Sequence, residues 1–272
     1  MKILFTKMHG IGNDYIFIDM IKNKYPLLLE DKIPKLARFL CKEHFGVGSD
    51  GVILIDSSRK ADFKMRIFNK DGKEAEMCGN GIRCFAKYIY DNKMTIKNKI
   101  TIETLAGIKE VEFIKNKNDI VEEYKVNMGI PKIEGIIRLN ILNQMFYINK
   151  ISMGNPHAVI FTRNVEKLHL EKIGPLIENN PVFPNSTNVE FVEILDRNLI
   201  KLRVWERGSK ETYACGTGAC AAVAIGYNRK LNDRKVKVLL RGGELNINWD
   251  EKSKFIYMQG IATKVFDGII EI

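Results

Sequence analysis

Two of the five cysteines stand directly before a Gly-x-Gly run, in Cys78-Gly79-Asn80-Gly81 and Cys215-Gly216-Thr217-Gly218. A thiol placed where a helix begins faces the positive end of the helix dipole, which favours the thiolate, and lies beside free backbone N–H groups that bind anions. A base and a carboxylate site are brought together. Glycine lets a ligand approach the backbone closely, and such loops often call for positive φ as well. One turn of this kind is weak evidence. Two, at matching places, point to a single site with a thiol on each face of a shared substrate. That arrangement suits inversion of a stereocentre, in which one group removes a proton from one face and another delivers a proton to the opposite face. The α-proton of an amino acid is very weakly acidic, so the developing carbanion needs preorganised dipoles in a site from which water is excluded. Paired helix N-termini supply such dipoles.

Other chemistries of the same residues are less well served. Zinc uses closed C-x-x-C spacing, whereas the Cys78–Cys84 and Cys215–Cys220 gaps are wider and the four histidines are not clustered. A phosphate cradle is the stronger competitor, because Gly-x-Gly before a helix does bind phosphate; yet no Gly-Lys-Ser/Thr follows, and a cysteine precedes each loop. No metal is expected. Cys84 and Cys220 do not align with each other in the two turns and read as packing residues, as does Cys41.

The elements that position the turns emerge when the chain is laid over itself. At one constant offset, the separation of Cys78 from Cys215, Arg66 aligns with Arg203, Lys73 with Lys210, Glu74 with Glu211, Gly79 with Gly216 and Gly81 with Gly218. Gly12-Asn13 is echoed by Gly154-Asn155 at a slightly different offset, as an insertion between the halves produces. Such self-similarity indicates two similar domains. Each repeat reads as strand, tight loop and helix. Met65–Ile67 and Leu202–Val204 alternate as strands do, and the residues after each turn are apolar on nearly every side, as in a helix buried all round. Alternation also marks strands at Ile100–Ile102, Val111–Phe113, Val236–Val238, Leu245–Trp249 and Phe255–Tyr257. An amphipathic helix is expected over Ile33–Cys41. Each domain is expected to wrap a sheet around its own helix, with the boundary near the polar stretch Lys115–Glu123.

The 272 residues exceed the usual single-domain length of about 100–150 residues, which agrees with two domains. No stretch approaches the roughly 18 apolar residues of a membrane span, and no membrane association is expected. The net charge of +10 is spread along the chain among 33 acidic residues, a lysine-rich surface rather than a nucleic-acid footprint, so no nucleic-acid partner is expected. Met1–Gly10 is too short for the core of a secretory signal and the cysteine count is odd, from which a cytoplasmic location and reduced thiols are expected.

The motifs taken together resemble the diaminopimelate epimerase family over essentially the whole chain. They are Met8-His-Gly-Ile-Gly-Asn-Asp14, Arg66-Ile-Phe-Asn-Lys-Asp-Gly72, Glu74-Ala-Glu-Met-Cys-Gly-Asn-Gly-Ile-Arg-Cys84, Met153-Gly-Asn-Pro-His157, Asn185-Ser-Thr-Asn-Val-Glu190, Glu206-Arg-Gly208 and Ala214-Cys-Gly-Thr-Gly-Ala-Cys220. The resemblance implies interconversion of LL- and meso-2,6-diaminopimelate in lysine and peptidoglycan precursor synthesis, with no pyridoxal phosphate and no metal. It implies Cys78 and Cys215 as the acid/base pair, and Gly79, Asn80, Gly216 and Thr217 as the cradle of the reacting carboxylate. Asn13, Asn69, Asn155, Asn188, Glu206 and Arg207 match positions that hold the amino and distal groups, and His157 and Glu206 match residues that tune the cysteines. Read without the family, His157 is more simply structural, and Asn13 and Asn155 are plain turn residues.

By resemblance the fold is α/β of the α+β kind: two pseudo-symmetric domains, 1–119 and 120–262, each a mostly antiparallel sheet rolled around a central helix, with a C-terminal strand, 263–272, returning to the first. A homodimer is also implied. Three positions depart from the family: Lys210 stands where glycine is usual, Gly51 where some members carry a substrate-contacting glutamine, and Phe266 where some relatives have a tyrosine at a dimer contact. If the residue at 210 has positive φ, lysine there costs about 1 kcal/mol or more. The alternatives are a same-fold proline or hydroxyproline racemase or related isomerase, and a binding protein that keeps the fold without the chemistry; retention of both cysteines argues against the latter.

Overall fold

Each half of the chain runs through the same series of elements. The computed structural model describes residues 1–23, 25 and 29–272 and divides into two units, Met1–Val126 with Gly260–Ile272, and Asn127–Gln259. The first contains β1 (Lys2–Gly10), β2 (Asn13–Asp19), α1 (Ile33–Cys41), β3 (Gly51–Asp56), β4 (Phe63–Asn69), β5 (Glu74–Ala75), α2 (Gly79–Asp91), β6 (Lys99–Thr104), β7 (Gly107–Lys115) and β8 (Val121–Asn127). The second contains β9 (Lys132–Ile141), β10 (Gln144–Ser152), β11 (Pro156–Phe161), α3 (Leu170–Glu178), β12 (Asn188–Asp196), β13 (Leu199–Glu206), β14 (Lys210–Thr212), α4 (Gly216–Asn228), β15 (Lys235–Leu240), β16 (Gly243–Trp249) and β17 (Ile256–Gly260). The C-terminal strand β18 (Thr263–Glu271) pairs antiparallel with β1 and takes the place in the first unit that β9 holds beside β10 in the second.

The pairing is duplicated strand by strand. Most neighbours are antiparallel, with two parallel pairs in each unit: β2 with β3 and β4 with β6, then β11 with β12 and β13 with β15. Tyr15 lies opposite Gly51 as His157 lies opposite Asn188. The polar stretch Lys115–Glu123 is a turn inside the first unit. Asn116 and Ile120 close it, and the β7–β8 ladder continues beyond it, so the division of the chain falls a few residues later, at Val126.

The parallel pairs explain the longest apolar runs. Strand β3 is buried at five of its six residues because both its faces are covered. Val52 and Leu54 join the cluster under α1, with Leu36, Ala37 and Leu40. Ile53 points the other way, toward the start of α2. Strand β12 repeats the pattern, with Val189 and Phe191 packed under α3 and Glu190 turned toward α4. Helix α2 packs against β1, β2, β7 and β18, and α4 against β10, β11, β12, β13 and β16, each the central helix of its own unit. Burial of α4 from Gly218 to Gly226 without a break follows from that position.

Candidate functional site

In both units the cysteine is the N-cap residue. Cys78 and Cys215 have extended backbone, at φ −134° and −122°, and each sulfur accepts the N–H of the third residue on, Gly81 or Gly218, at 3.4 Å. The thiol satisfies one of the orphan amides that open a helix, and a helix start of this kind is suited to binding an anion. The glycines are needed for space, not for positive φ: none of Gly79, Gly81, Gly216 and Gly218 has positive φ. A Cβ on Gly81 would come within 2.8 Å of Ile53 Cδ1, and one on Gly218 within 2.8 Å of Glu190 Oε1.

In the first unit Cys78 is half-buried, and its Sγ donates to Asn13 Oδ1 at 3.3 Å. The same oxygen accepts from Asn80 Nδ2 at 3.3 Å. Asn13 is oriented by Asp50, whose Oδ2 accepts from Asn13 Nδ2 at 2.8 Å and from the Asp14 amide at 3.1 Å. Burial holds the Asp50 carboxyl above the usual carboxylate range, against the hydrogen bonds that lower it. Asn80 is fixed from beneath by the fully buried Arg83, whose guanidinium donates to Asn80 Oδ1 at 3.0 Å, Gly79 O at 3.1 Å and Ile261 O at 3.2 Å. Asn69 closes β4, exposed and opposite Gly51.

In the second unit Cys215 is buried and its Sγ lies 3.4 Å from Thr217 Oγ1. Burial, followed by the negative charges of Glu206 and Glu190, pushes this thiol well above its ordinary range. Glu206, at the end of β13, accepts from the Thr212 hydroxyl. Burial raises its carboxyl despite that bond and one to Cys215. His157 meets no sulfur directly. Its Nδ1 lies 2.7 Å from Glu190 Oε1, both side chains being fully buried, and its Nε2 lies 3.0 Å from Asn155 Oδ1. Asn155 Nδ2 then reaches Thr217 Oγ1 at 3.5 Å. Asn188 sits beside this chain, donating to Pro156 O at 3.0 Å and accepting from the Arg207 amide at 3.0 Å. The exposed Arg207 guanidinium donates to Asn185 O at 3.3 Å. Cys41, Cys84 and Cys220 are buried elsewhere, and burial pushes Cys84 up to about 12.

Asp50, Arg83, Glu190 and Thr212 are among the residues that sequence reasoning left without a role. Glu190 had a signal, since the repeat sets it opposite Ile53, and an acid facing an isoleucine inside duplicated strands is out of place in a core. Asp50 had none, lying in a loop far in sequence from the asparagine it holds.

Both the fold and the sequence have known counterparts. Solved structures with the same fold include a phenazine biosynthesis protein of Bacillus anthracis, at TM-score 0.78 and 20% identity over 100% of both chains. Another is a hydroxyproline epimerase of Agrobacterium vitis, at TM-score 0.72 and 12% identity over 99% of this chain and 92% of that one. Sequence relatives are much nearer. The diaminopimelate epimerase of Methanococcus maripaludis is 50% identical over 98% of this chain and 99% of that protein, and that of Agathobacter rectalis 47% identical over 98% and 99%. The sequence model of diaminopimelate epimerase itself matches residues 5–134 and 150–265, and this chain belongs to the diaminopimelate epimerase family.

Proposed function

We propose that the protein interconverts LL- and meso-2,6-diaminopimelate by moving a proton at one α-carbon, with Cys78 and Cys215 as two monoprotic bases and no cofactor. The observation that carries this reading is the duplicated N-cap: each unit offers one thiol at the N-terminus of its central helix. The amides around Gly79, Asn80, Gly216 and Thr217 bind the reacting carboxylate and take up the charge that develops as the carbanion forms. One sulfur removes the proton as a thiolate while the other, as a thiol, supplies its replacement from the opposite face, and the reverse reaction exchanges the two roles.

Cys215 starts as the thiol, since burial and two nearby carboxyls hold its proton. The α-ammonium of the substrate, placed against Glu206, offsets that negative field and makes Cys215 a stronger acid when the substrate is present. Asn13, Asn69, Asn155 and Asn188 bind the amino and distal groups, and Arg207 binds the distal carboxylate with its planar guanidinium. His157 reaches the reacting centre through Asn155 and Thr217.

The enzyme is assigned to the cytoplasm, where lysine and peptidoglycan precursors are made; among the described residues no helix is long and apolar enough to cross a membrane. A homodimer is assigned on the exposed apolar residues Leu4, Val265, Phe266 and Ile269 of β1 and β18, where Leu4 faces Ile269 across the ladder. The test supplies LL-diaminopimelate and, separately, L-proline in heavy water and analyses both isomers at low conversion by mass spectrometry. Early meso product carrying deuterium at the inverted carbon, beside largely protiated substrate, is expected. Turnover of proline alone overturns the substrate, and protium retained in the product overturns the two-base mechanism.

A further inference from the structure

The duplication provides an internal control for one buried pair. At the mouth of α2 the space over Gly81 is filled by Tyr15 and Ile53, 3.6 Å and 2.8 Å from the position of a Cβ there. At the mouth of α4 the equivalent strand positions hold His157 and Glu190: His157 lies opposite Asn188 as Tyr15 lies opposite Gly51, and Glu190 opposite Val204 as Ile53 lies opposite Ile67. The backbone of this corner therefore forms around an aromatic–aliphatic pair as readily as around an acid and an imidazole. Burying such a pair seldom stabilises a fold more than apolar residues of like volume, and here one carboxylate oxygen, Glu190 Oε2, is buried with no hydrogen-bond partner. The fold gains nothing that Tyr15 and Ile53 do not already supply in the other half.

The hydrogen bonds say what the pair does. With Asn155 Nδ2 turned to Thr217, Asn155 Oδ1 faces His157 Nε2, so Nε2 carries a proton. The 2.7 Å contact between Nδ1 and Glu190 Oε1 then holds one further proton, shared between ring and carboxyl, and the pair as a whole is neutral. Neither a second proton nor the loss of one fits a fully buried pair without leaving a net charge there. We propose that Glu190 is a positioning residue for epimerisation. By sharing that proton it locks His157 as a permanent Nε2–H donor, which fixes the carbonyl of Asn155 and presents its amide to Thr217, 3.4 Å from the Cys215 sulfur. His157 is accordingly a fixed prop and takes no proton from the cysteines. The groups facing the pair are Asn155, Cys215, Glu206 and the start of α4.

This inference rests on the proposed epimerase reading, and its test separates the two. Glu190→Ile, Glu190→Gln and the double variant Glu190→Ile/His157→Tyr, which copies the other half, are compared with the parent protein. Measurements are urea unfolding, kcat and KM with LL-diaminopimelate, and histidine ¹⁵N NMR with the His157 signal assigned by His157→Asn. The double variant is expected to fold with a midpoint no lower than the parent. Glu190→Ile is expected to lower kcat by about 10²-fold, with a much smaller change in KM. Glu190→Gln, whose amide can donate to Nδ1, should restore kcat to within about tenfold of the parent. In the parent the ¹⁵N spectrum should show hydrogen bonded to His157 Nε2, whereas in Glu190→Ile the Nδ1–H tautomer should become populated. An unfolded double variant would make the pair a requirement of the fold and overturn the proposal, as would parent-like kcat in Glu190→Ile or an Nδ1–H tautomer of His157 in the parent. A parent protein inert toward LL-diaminopimelate would refute the function, while the NMR arm would still decide whether Glu190 locks His157.

Discussion

Lys210 has φ +64°, in the left-handed region that favours glycine. An L-residue there presses its Cβ against the following carbonyl at roughly 1–2 kcal/mol. Lys210→Gly removes that strain but frees the unfolded chain, which offsets roughly 0.5–1 kcal/mol. The net gain is about 0.5–1 kcal/mol. The lysine side chain is exposed, so its loss costs little packing. For a chain of this size the gain raises Tm by about 1–4 °C. Lys210→Ala supplies the control, since it removes the same side chain but keeps the Cβ and so keeps the strain. Urea unfolding of the three proteins, with unchanged slopes, checks the expectation. If alanine stabilises as much as glycine, or glycine destabilises, the strain at Lys210 is not what limits this turn. The turn matters because it joins Glu206 to Thr212 through the β13–β14 ladder, and Thr212 holds the Glu206 carboxyl.

Cys78→Ala and Cys215→Ala are each expected to slow epimerisation by about 10³-fold or more, because neither base can serve both faces of the α-carbon, whereas Cys84→Ala and Cys41→Ala should change mainly stability. Steady-state rates beside unfolding curves check this, and a fast Cys78→Ala enzyme with a dead, folded Cys84→Ala enzyme would reverse the assignment. Burial raises the folded pKa of Glu206, so the folded state binds that proton more tightly than the unfolded chain does. The stability of the parent relative to Glu206→Gln is therefore greatest below the ordinary value of 4.5 and declines as pH rises through the folded value; a difference that stays flat between about pH 4 and 8 would contradict the shift.

Where local chemistry and tertiary context agree, the elements were legible. Helix α1 follows from the amphipathic spacing of Leu36, Ala37, Leu40 and Cys41, and the two cysteine turns from Gly-x-Gly before apolar runs. Helix α3 was not legible, because Gly174 and Pro175 lie inside it and both oppose helix. Tertiary contact overrides them: Gly174 sits so close to the Trp205 ring that a Cβ would come within 2.5 Å, and Glu178 accepts the Trp205 indole N–H at 2.7 Å. Strand β9 was missed for another reason, being exposed over most of its length and carrying little alternation. The site was legible where one residue type carries the chemistry, as with the thiols. It was not legible where the role depends on a distant partner: Asp50 acts on Asn13, and Arg83 is tolerated inside α2 only because Gly79, Asn80 and Ile261 take its hydrogen bonds.

Two identical halves would give two identical thiols, and a two-base reaction needs them to differ by a proton when the substrate binds. The divergence between the halves is concentrated where it can create that difference. Asn69 in the first unit corresponds to Glu206 in the second, and Ile53 to Glu190, so carboxyls are added around Cys215 at positions that are neutral around Cys78. Burial, followed by the Glu206 carboxyl, pushes the Cys215 thiol upward. The partners of the two asparagines are reversed as well. Asn13 turns its carbonyl toward the Cys78 sulfur, whereas Asn155 turns its amide toward the hydroxyl beside Cys215. Different partners on one duplicated backbone thus surround the two thiols. On the proposed reading, the charge of a substrate ammonium group placed against Glu206 would shift the proton balance of Cys215.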